Sequence, residues 1–199
     1  MSLRIGIFGG AFDPPHRAHV ALAQAAVTQL RLDELRVLPT GQAWHKARVL
    51  TDGHHRLAMA KLAFEAVPHA VVDDRELRRS GPTYTVDTLR ELHTAAPDAT
   101  LLLVVGADQA EALHGWHDSA GIVRLATVAV AARARPDPDA PPFDASRLPG
   151  GQWASVELPP MPVSATQIRA LVAAGQEIGH LVPPGVARYI DQHHLYAPT

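Results

Sequence analysis

Two histidines three residues apart, His16 and His19, follow a glycine pair, Gly9-Gly10, which closes an apolar run from Leu3 to Phe8. Ala11-Phe12-Asp13-Pro14-Pro15 joins the two, and an apolar-periodic segment begins at Arg17. A strand that ends in glycines and feeds a helix start is how α/β proteins hold phosphate. The missing side chains let backbone N–H groups approach the anion, and the helix start adds unpaired donors and a positive dipole end. Histidines at i and i+3 share one face of a helical turn, where they supply donors or positive charge. The stretch therefore points to a nucleotide triphosphate. A His-x-x-His pair is also half of a zinc site, but the chain has no cysteine and no motif for a third ligand. Asp13 before Pro14 reads as a turn residue that positions the helix.

The elements that must position these groups follow from periodicity. Apolar runs predict strands at Leu3 to Phe8, Leu35 to Leu38, Ala70 to Val72, Leu101 to Val105, Thr127 to Ala132 and Val156 to Leu158. Arg17 to Leu30 predicts a helix with Val20, Ala23, Val27 and Leu30 on one stripe. Further helices are expected from an Asp52 cap through Ala66, from Thr83 or Thr85 to about His93, over Ala165 to Ala173 behind a Ser164 cap, and over Pro183 to His194. Thr40 to Thr51 reads as a loop, Asp73 to Pro82 as a charged loop, and the Pro-rich segment near 136–151 as a flexible loop.

Strands alternating with helices predict an α/β fold: a Rossmann-like, doubly wound parallel sheet with helices on both faces, in a single domain over 1–199. Ligands of such sheets bind at the carboxyl ends of the strands, near the switch point. Gly9-Gly10, the loop after Thr40, Gly106-Ala107-Asp108 and Arg133 to Arg135 all fall at those ends. No Walker A pattern and no Gly-x-Gly-x-x-Gly is present, which argues against P-loop NTPases and simple dinucleotide-dependent dehydrogenases.

Composition narrows the classes. The 199 residues carry a formal net charge of −2, so no basic surface calls for nucleic acid. The absence of cysteine excludes thiolate catalysis and a disulfide framework. No signal-peptide pattern and no apolar run long enough to span a membrane is present, so a soluble cytoplasmic protein is expected. Of the 12 histidines, His54-His55 and His193-His194 sit in polar surroundings and read as surface residues.

Gly9-Gly10-Ala11-Phe12-Asp13-Pro14-Pro15-His16-Arg17-Ala18-His19 resembles the first motif of the nucleotidyltransferase superfamily marked by a His-x-Gly-His element. Ser164-Ala165-Thr166-Gln167-Ile168-Arg169 resembles its second motif, Ser-x-Thr-x-x-Arg. Three stretches between them are similar to elements of bacterial nicotinate mononucleotide adenylyltransferases: Pro39-x-x-x-Ala43-Trp44-His45-Lys46, Pro82-Thr83-Tyr84-Thr85-Val86-Asp87-Thr88-Leu89, and Gly106-Ala107-Asp108 with Trp116 beyond it. Arg135-Pro136 fits as well. The chain departs from the pattern at Ala18, where the motif usually has Gly, and at Ala43-Trp44, which replaces a Pro-Pro pair.

The resemblance implies adenylyl transfer from ATP to nicotinate mononucleotide, giving deamido-NAD and pyrophosphate, a step of NAD biosynthesis. It implies His19 on the transferred α-phosphate, His16 on the phosphate chain, and Lys46 with His45 reaching in from their loop. Arg169 would add a fixed cation. Gly9, Gly10, Ala11 and Phe12 would line the ATP, and Ser164 and Thr166 would hold its pyrophosphate end. Gly106, Asp108 and Arg135 would sit by the adenosine, with magnesium riding on the triphosphate and no protein metal site. Trp116 would stack on the pyridine ring, and N–H groups around Thr85 and His117 would receive its carboxylate. The nearest rivals are related enzymes that use nicotinamide mononucleotide, phosphopantetheine or a cytidine nucleotide. A nucleotide-binding module without catalysis is the rival of another class.

Overall fold

Leu101 to Val105, five consecutive apolar residues, alternate between two hydrophobic cores: Leu102 and Val104 face one, while Leu101, Leu103 and Val105 face the other. Only a strand covered on both faces needs such a run. The structure is a computed structural model that describes residues 2–41, 49–133 and 150–197. Expectations for Ala43, Trp44, His45, Lys46, Arg135 and most of the Pro-rich segment fall outside the described residues.

Among the described residues, six strands form one sheet in the order β3-β2-β1-β4-β5-β6. They are β1 (Arg4–Gly10), β2 (Glu34–Pro39), β3 (Ala70–Val72), β4 (Thr100–Gly106), β5 (Ala126–Arg133) and β6 (Trp153–Leu158). Every pairing is parallel. This is the doubly wound α/β arrangement expected from the alternation, with its switch point between β1 and β4.

One core packs α1 (Arg17–Gln29), α2 (Gly53–Phe64), α7 (Ala165–Ala173) and α8 (Pro184–Gln192) on one face of the sheet. The other face carries α4 (Thr85–Ala95), α5 (Ala107–Glu111) and α6 (Ser119–Leu125). Two predicted caps act as expected: Asp52 accepts from the His54 N–H at 3.0 Å and Ser164 from the Gln167 N–H at 3.2 Å. His54, His193 and His194 are exposed, and His55 is half-buried against Tyr189. No helix among the described residues is long and apolar enough to cross a membrane.

The structure corrects several expectations. β1 continues through both glycines, so they end the strand rather than follow it. The cap of α4 is Tyr84 instead of Thr83 or Thr85, and the helix runs on to Ala95. Asp73 to Pro82 is not a simple charged loop: it contains α3 (Arg75–Arg78), and its Glu76 is buried. Thr88, on the first turn of α4, donates to Glu76 at 2.8 Å. This pair anchors the start of α4, the segment that carries Thr85.

Burial pushes the Glu76 carboxyl up from 4.5 to about 7, against the opposing pull of Thr88 and Arg79; Glu91 and Asp73 add to the rise. A raised carboxyl binds its proton more tightly in the folded state than in the unfolded one. Its stabilisation is therefore complete below the unfolded value and is lost as pH rises through about 7. Wild-type stability should fall by at most about 3 kcal/mol between pH 4.5 and 8 from this group. Glu76→Gln should lack that fall. Urea denaturation at both pH values checks this, and equal pH dependence in the two proteins would refute it.

Candidate active site

The carboxyl ends of β1 and β4 separate. Their pairing runs from Arg4↔Thr100 to Ile7↔Leu103 and stops three residues short of Gly10 and Gly106. A Cβ placed on Gly9 or Gly106 would meet nothing within 4 Å. Packing does not demand glycine at either position, but an approaching ligand would. Gly10 differs: its Cβ would lie 3.0 Å from the Phe12 ring. Phe12 is turned into the core against Phe8 and Phe64. Of the ATP-lining residues expected here, Phe12 therefore has only its backbone to offer.

The histidines adopt a geometry that spacing alone did not specify. His16 is the residue before α1 rather than part of its first turn, and its ring is buried. His19 stacks on it with centroids 3.7 Å apart and planes at 24°. The His16 backbone N–H donates to His19 Nδ1 at 3.2 Å. An accepting Nδ1 places the proton of the neutral ring on Nε2, which makes Nε2–H a donor of fixed direction. Phe12 and the His19 ring pack in a T-shape with centroids 5.2 Å apart, which limits the rotation of His19. Ala18 lies inside α1, where helical backbone requires no glycine.

A buried polar frame supports this loop. Arg56, 3% exposed, donates to the carbonyls of Ala11 at 3.0 Å, Thr40 at 2.8 Å and Thr51 at 2.8 Å. The Thr40 N–H donates to the Gly10 carbonyl at 2.8 Å. Asp13 is equally buried; its carboxylate accepts from the Thr51 N–H at 3.2 Å and the Tyr196 hydroxyl at 2.6 Å. The glycine loop and both borders of residues 42–48 are thereby held together. Sequence reading missed Arg56 and Tyr196. Arg56 had a local signal, since it shares the buried face of α2 with Met59, Ala60 and Ala63, where an arginine is out of place. Tyr196 had none.

The second motif meets the first. Arg169 donates to the Asp13 carbonyl at 2.8 Å and to Thr166 Oγ1 at 3.2 Å. Ser164 and Thr166 are exposed at the start of α7. His16, His19, Ser164, Thr166 and Arg169 thus gather around one loop although they come from opposite ends of the chain.

The third group lies beyond β4. Asp108 is exposed in the first turn of α5, and Trp116 is half-buried. Tyr84 stacks on His117 with centroids 4.2 Å apart and planes at 26°. That stack brings the starts of α4 and α6 together, placing Thr85 and His117 as neighbours.

Imidazoles, a guanidinium, backbone N–H groups and a helix start form a donor set for phosphate oxygens. Among the described residues, no group of three or more His, Cys, Asp or Glu side chains could hold a metal ion.

Comparison with known proteins agrees with this geometry. Residues 7–171 match the family model described as cytidylyltransferase-like. A protein of Albidiferax ferrireducens named probable nicotinate-nucleotide adenylyltransferase is 53% identical over 193 residues, covering 97% of this chain and 98% of its own. One of the same name from Methylibium petroleiphilum is 46% identical over 202 residues, covering 98% and 93%. The fold is shared with Plasmodium falciparum nicotinic acid mononucleotide adenylyltransferase complexed with APC, at a TM-score of 0.79 and 20% identity, covering 98% of this chain and 97% of that one. The same protein complexed with NaAD gives 0.78 and 19%, with the same coverage.

Proposed function

This chain belongs to the cytidylyltransferase-like family and, within it, to the nicotinate-nucleotide adenylyltransferases, and on that premise we propose that it transfers the adenylyl group of ATP to nicotinate mononucleotide. A phosphate oxygen of the mononucleotide attacks the α-phosphorus of ATP. The bond from that phosphorus to the α,β-bridging oxygen breaks, and pyrophosphate leaves with its electron pair. The products are deamido-NAD and pyrophosphate.

The attacking phosphate is already an anion, so no general base is needed. The chemistry asks for alignment of two anions and dispersal of charge on the transferred and leaving groups. His19 Nε2–H, aimed by the bond into its Nδ1, donates to the α-phosphate. His16 supports that ring and lies along the phosphate chain. The N–H groups of Gly10 and Ala11 approach where side chains are missing or small. Arg169, Ser164 and Thr166 receive the pyrophosphate. Lys46 and Arg135 add cations from outside the described residues. Gly106 and Asp108 flank the adenosine, with Asp108 on the ribose hydroxyls.

Magnesium fits this donor set as a passenger of the nucleotide. Both Asp13 oxygens already accept protein donors, so the ion would be held by phosphate oxygens and its own waters. When bound, it would screen charge on the triphosphate.

The observation that carries the reading is the Arg169 bond to the Asp13 carbonyl, which draws both phosphate motifs into one site. Pyrophosphate release from ATP and magnesium, compared across nicotinate mononucleotide, nicotinamide mononucleotide and phosphopantetheine, tests it. The nicotinate acceptor should turn over fastest. No release with any acceptor, or faster release with another, would overturn the assignment. Trp116→Ala should raise the KM for the acceptor by about 10-fold with little change for ATP, on the scale of one desolvated stacking contact with a cationic ring. An unchanged acceptor KM would reduce Trp116 to packing.

A further inference from the structure

The chain turns back sharply after α8. His194 adopts a left-handed φ of 49°, and the Leu195 N–H donates to the Ile190 carbonyl at 3.0 Å. Such a reversal closes a helix and redirects the chain across its own core. Leu195 and Tyr196 then pack on the α1/α2 core, and the Tyr196 hydroxyl reaches Asp13 at 2.6 Å, 183 residues away in sequence. Tyr196 holds φ at 64°, a conformation that strains a bulky side chain. Phe12, immediately before Asp13, is strained in the same sense at 47°. Both ends of the Tyr196–Asp13 bond therefore rest on backbone that the surrounding packing must hold in place.

We infer that Tyr196 is a positioning residue for phosphate handling, acting through Asp13 on Arg169 and on Thr51. The bonds run in series. The hydroxyl fixes one carboxylate oxygen of Asp13, Thr51 fixes the other, and the Asp13 carbonyl receives Arg169. Burial first, and then the Asp13 carboxylate, push the Tyr196 hydroxyl well above the ordinary tyrosine range, so it donates at every pH of interest. Without that donor, the Asp13 carboxylate loses a buried hydrogen bond, and the turn bearing its carbonyl loses one of the contacts that orient it. Arg169 then loses its fixed reference. The tail packs on the core that carries α1 and α2, whereas Tyr84 and Trp116 pack on the core of the opposite sheet face.

The inference rests on the adenylyl-transfer reading, and Tyr196→Phe tests it because it removes one oxygen and leaves the ring packed. In the full-length protein, kcat/KM for ATP should fall about 10-fold, the calorimetric Kd for ATP should rise about fivefold, and the acceptor KM should stay within twofold. A purely structural role would lower Tm and treat both substrates alike. Asp13→Asn supplies the second arm. If Tyr196 acts through Asp13, the two effects on kcat/KM combine to less than their product. ATP parameters within twofold of wild type, or fully multiplicative effects, would overturn the inference. The ATP calorimetry needs no acceptor, so it tests the tail even where transfer itself is not observed.

Discussion

His19→Ala is expected to lower kcat by at least about 100-fold, the scale for removing one oriented donor from a site where charge develops. The argument starts from the hydrogen bond between the His16 N–H and His19 Nδ1. It fixes the tautomer, and the stack on His16 with the T-shaped contact to Phe12 fixes the ring plane. A donor held this way needs no reorganisation as charge grows on the α-phosphate. Ground-state ATP carries its charge mainly on the outer phosphates, so the KM for ATP should change by less than about fivefold while kcat falls. His19 is only partly buried, so the variant should keep its fold and its melting temperature to within a few degrees. His19→Gln tests direction: it restores an N–H donor without the ring that aims it, and should recover only part of the loss. Steady-state pyrophosphate release measures the kinetic effects of both variants, and a thermal melt checks the fold. A fall in kcat below 10-fold would remove His19 from the role assigned to it.

What the sequence disclosed follows from the range of the interactions involved. β4 was legible because burial on both faces leaves an unbroken apolar run, and β1 because its glycines close a strand next to a histidine-bearing helix start. Ser164 was legible as a cap because its partner, the Gln167 N–H, is three residues away. Glu76 was not, because its burial depends on Thr88 of a later helix and on the packing of α3 beneath β2. The residues between Gly106 and Thr127 gave no clear element; they form α5, a short 3-10 turn over Ala112–Gly115 and α6, each too brief to show periodicity. Asp13 was read as a turn residue, which it is, but its side-chain partners come from positions 51 and 196. Motif residues could be named from the sequence. The frame that holds them could not, since its bonds join segments that no local pattern connects.

Arg56→Ala should be the most damaging single change in that frame, with an expected loss of about 3–5 kcal/mol, the range for breaking a buried charged hydrogen-bond network. Its guanidinium serves three carbonyls, at Ala11, Thr40 and Thr51. These belong to the glycine loop, the end of β2 and the entry to α2, and all three are drawn to one planar fork. Alanine leaves the carbonyls without their donor and opens a cavity under the site; water that enters can satisfy some of them, which sets the lower end of the range. Arg56→Lys separates charge from geometry. Lysine keeps the positive charge but has no planar fork, so it can serve one or two of the carbonyls and should lose about 2 kcal/mol. Arg56→Met keeps most of the volume without donors and should resemble alanine more than lysine if hydrogen bonding dominates over packing. Urea denaturation with a common m-value compares the series. Because the same guanidinium holds the Ala11 carbonyl of the glycine loop, the variants should also raise the KM for ATP in the order Lys, Met, Ala. A loss below about 1 kcal/mol for Arg56→Ala would mean that Thr40 and the glycine loop are held by backbone pairing alone, such as the Thr40 bond to Gly10. The guanidinium would then be a passenger of the fold rather than its brace.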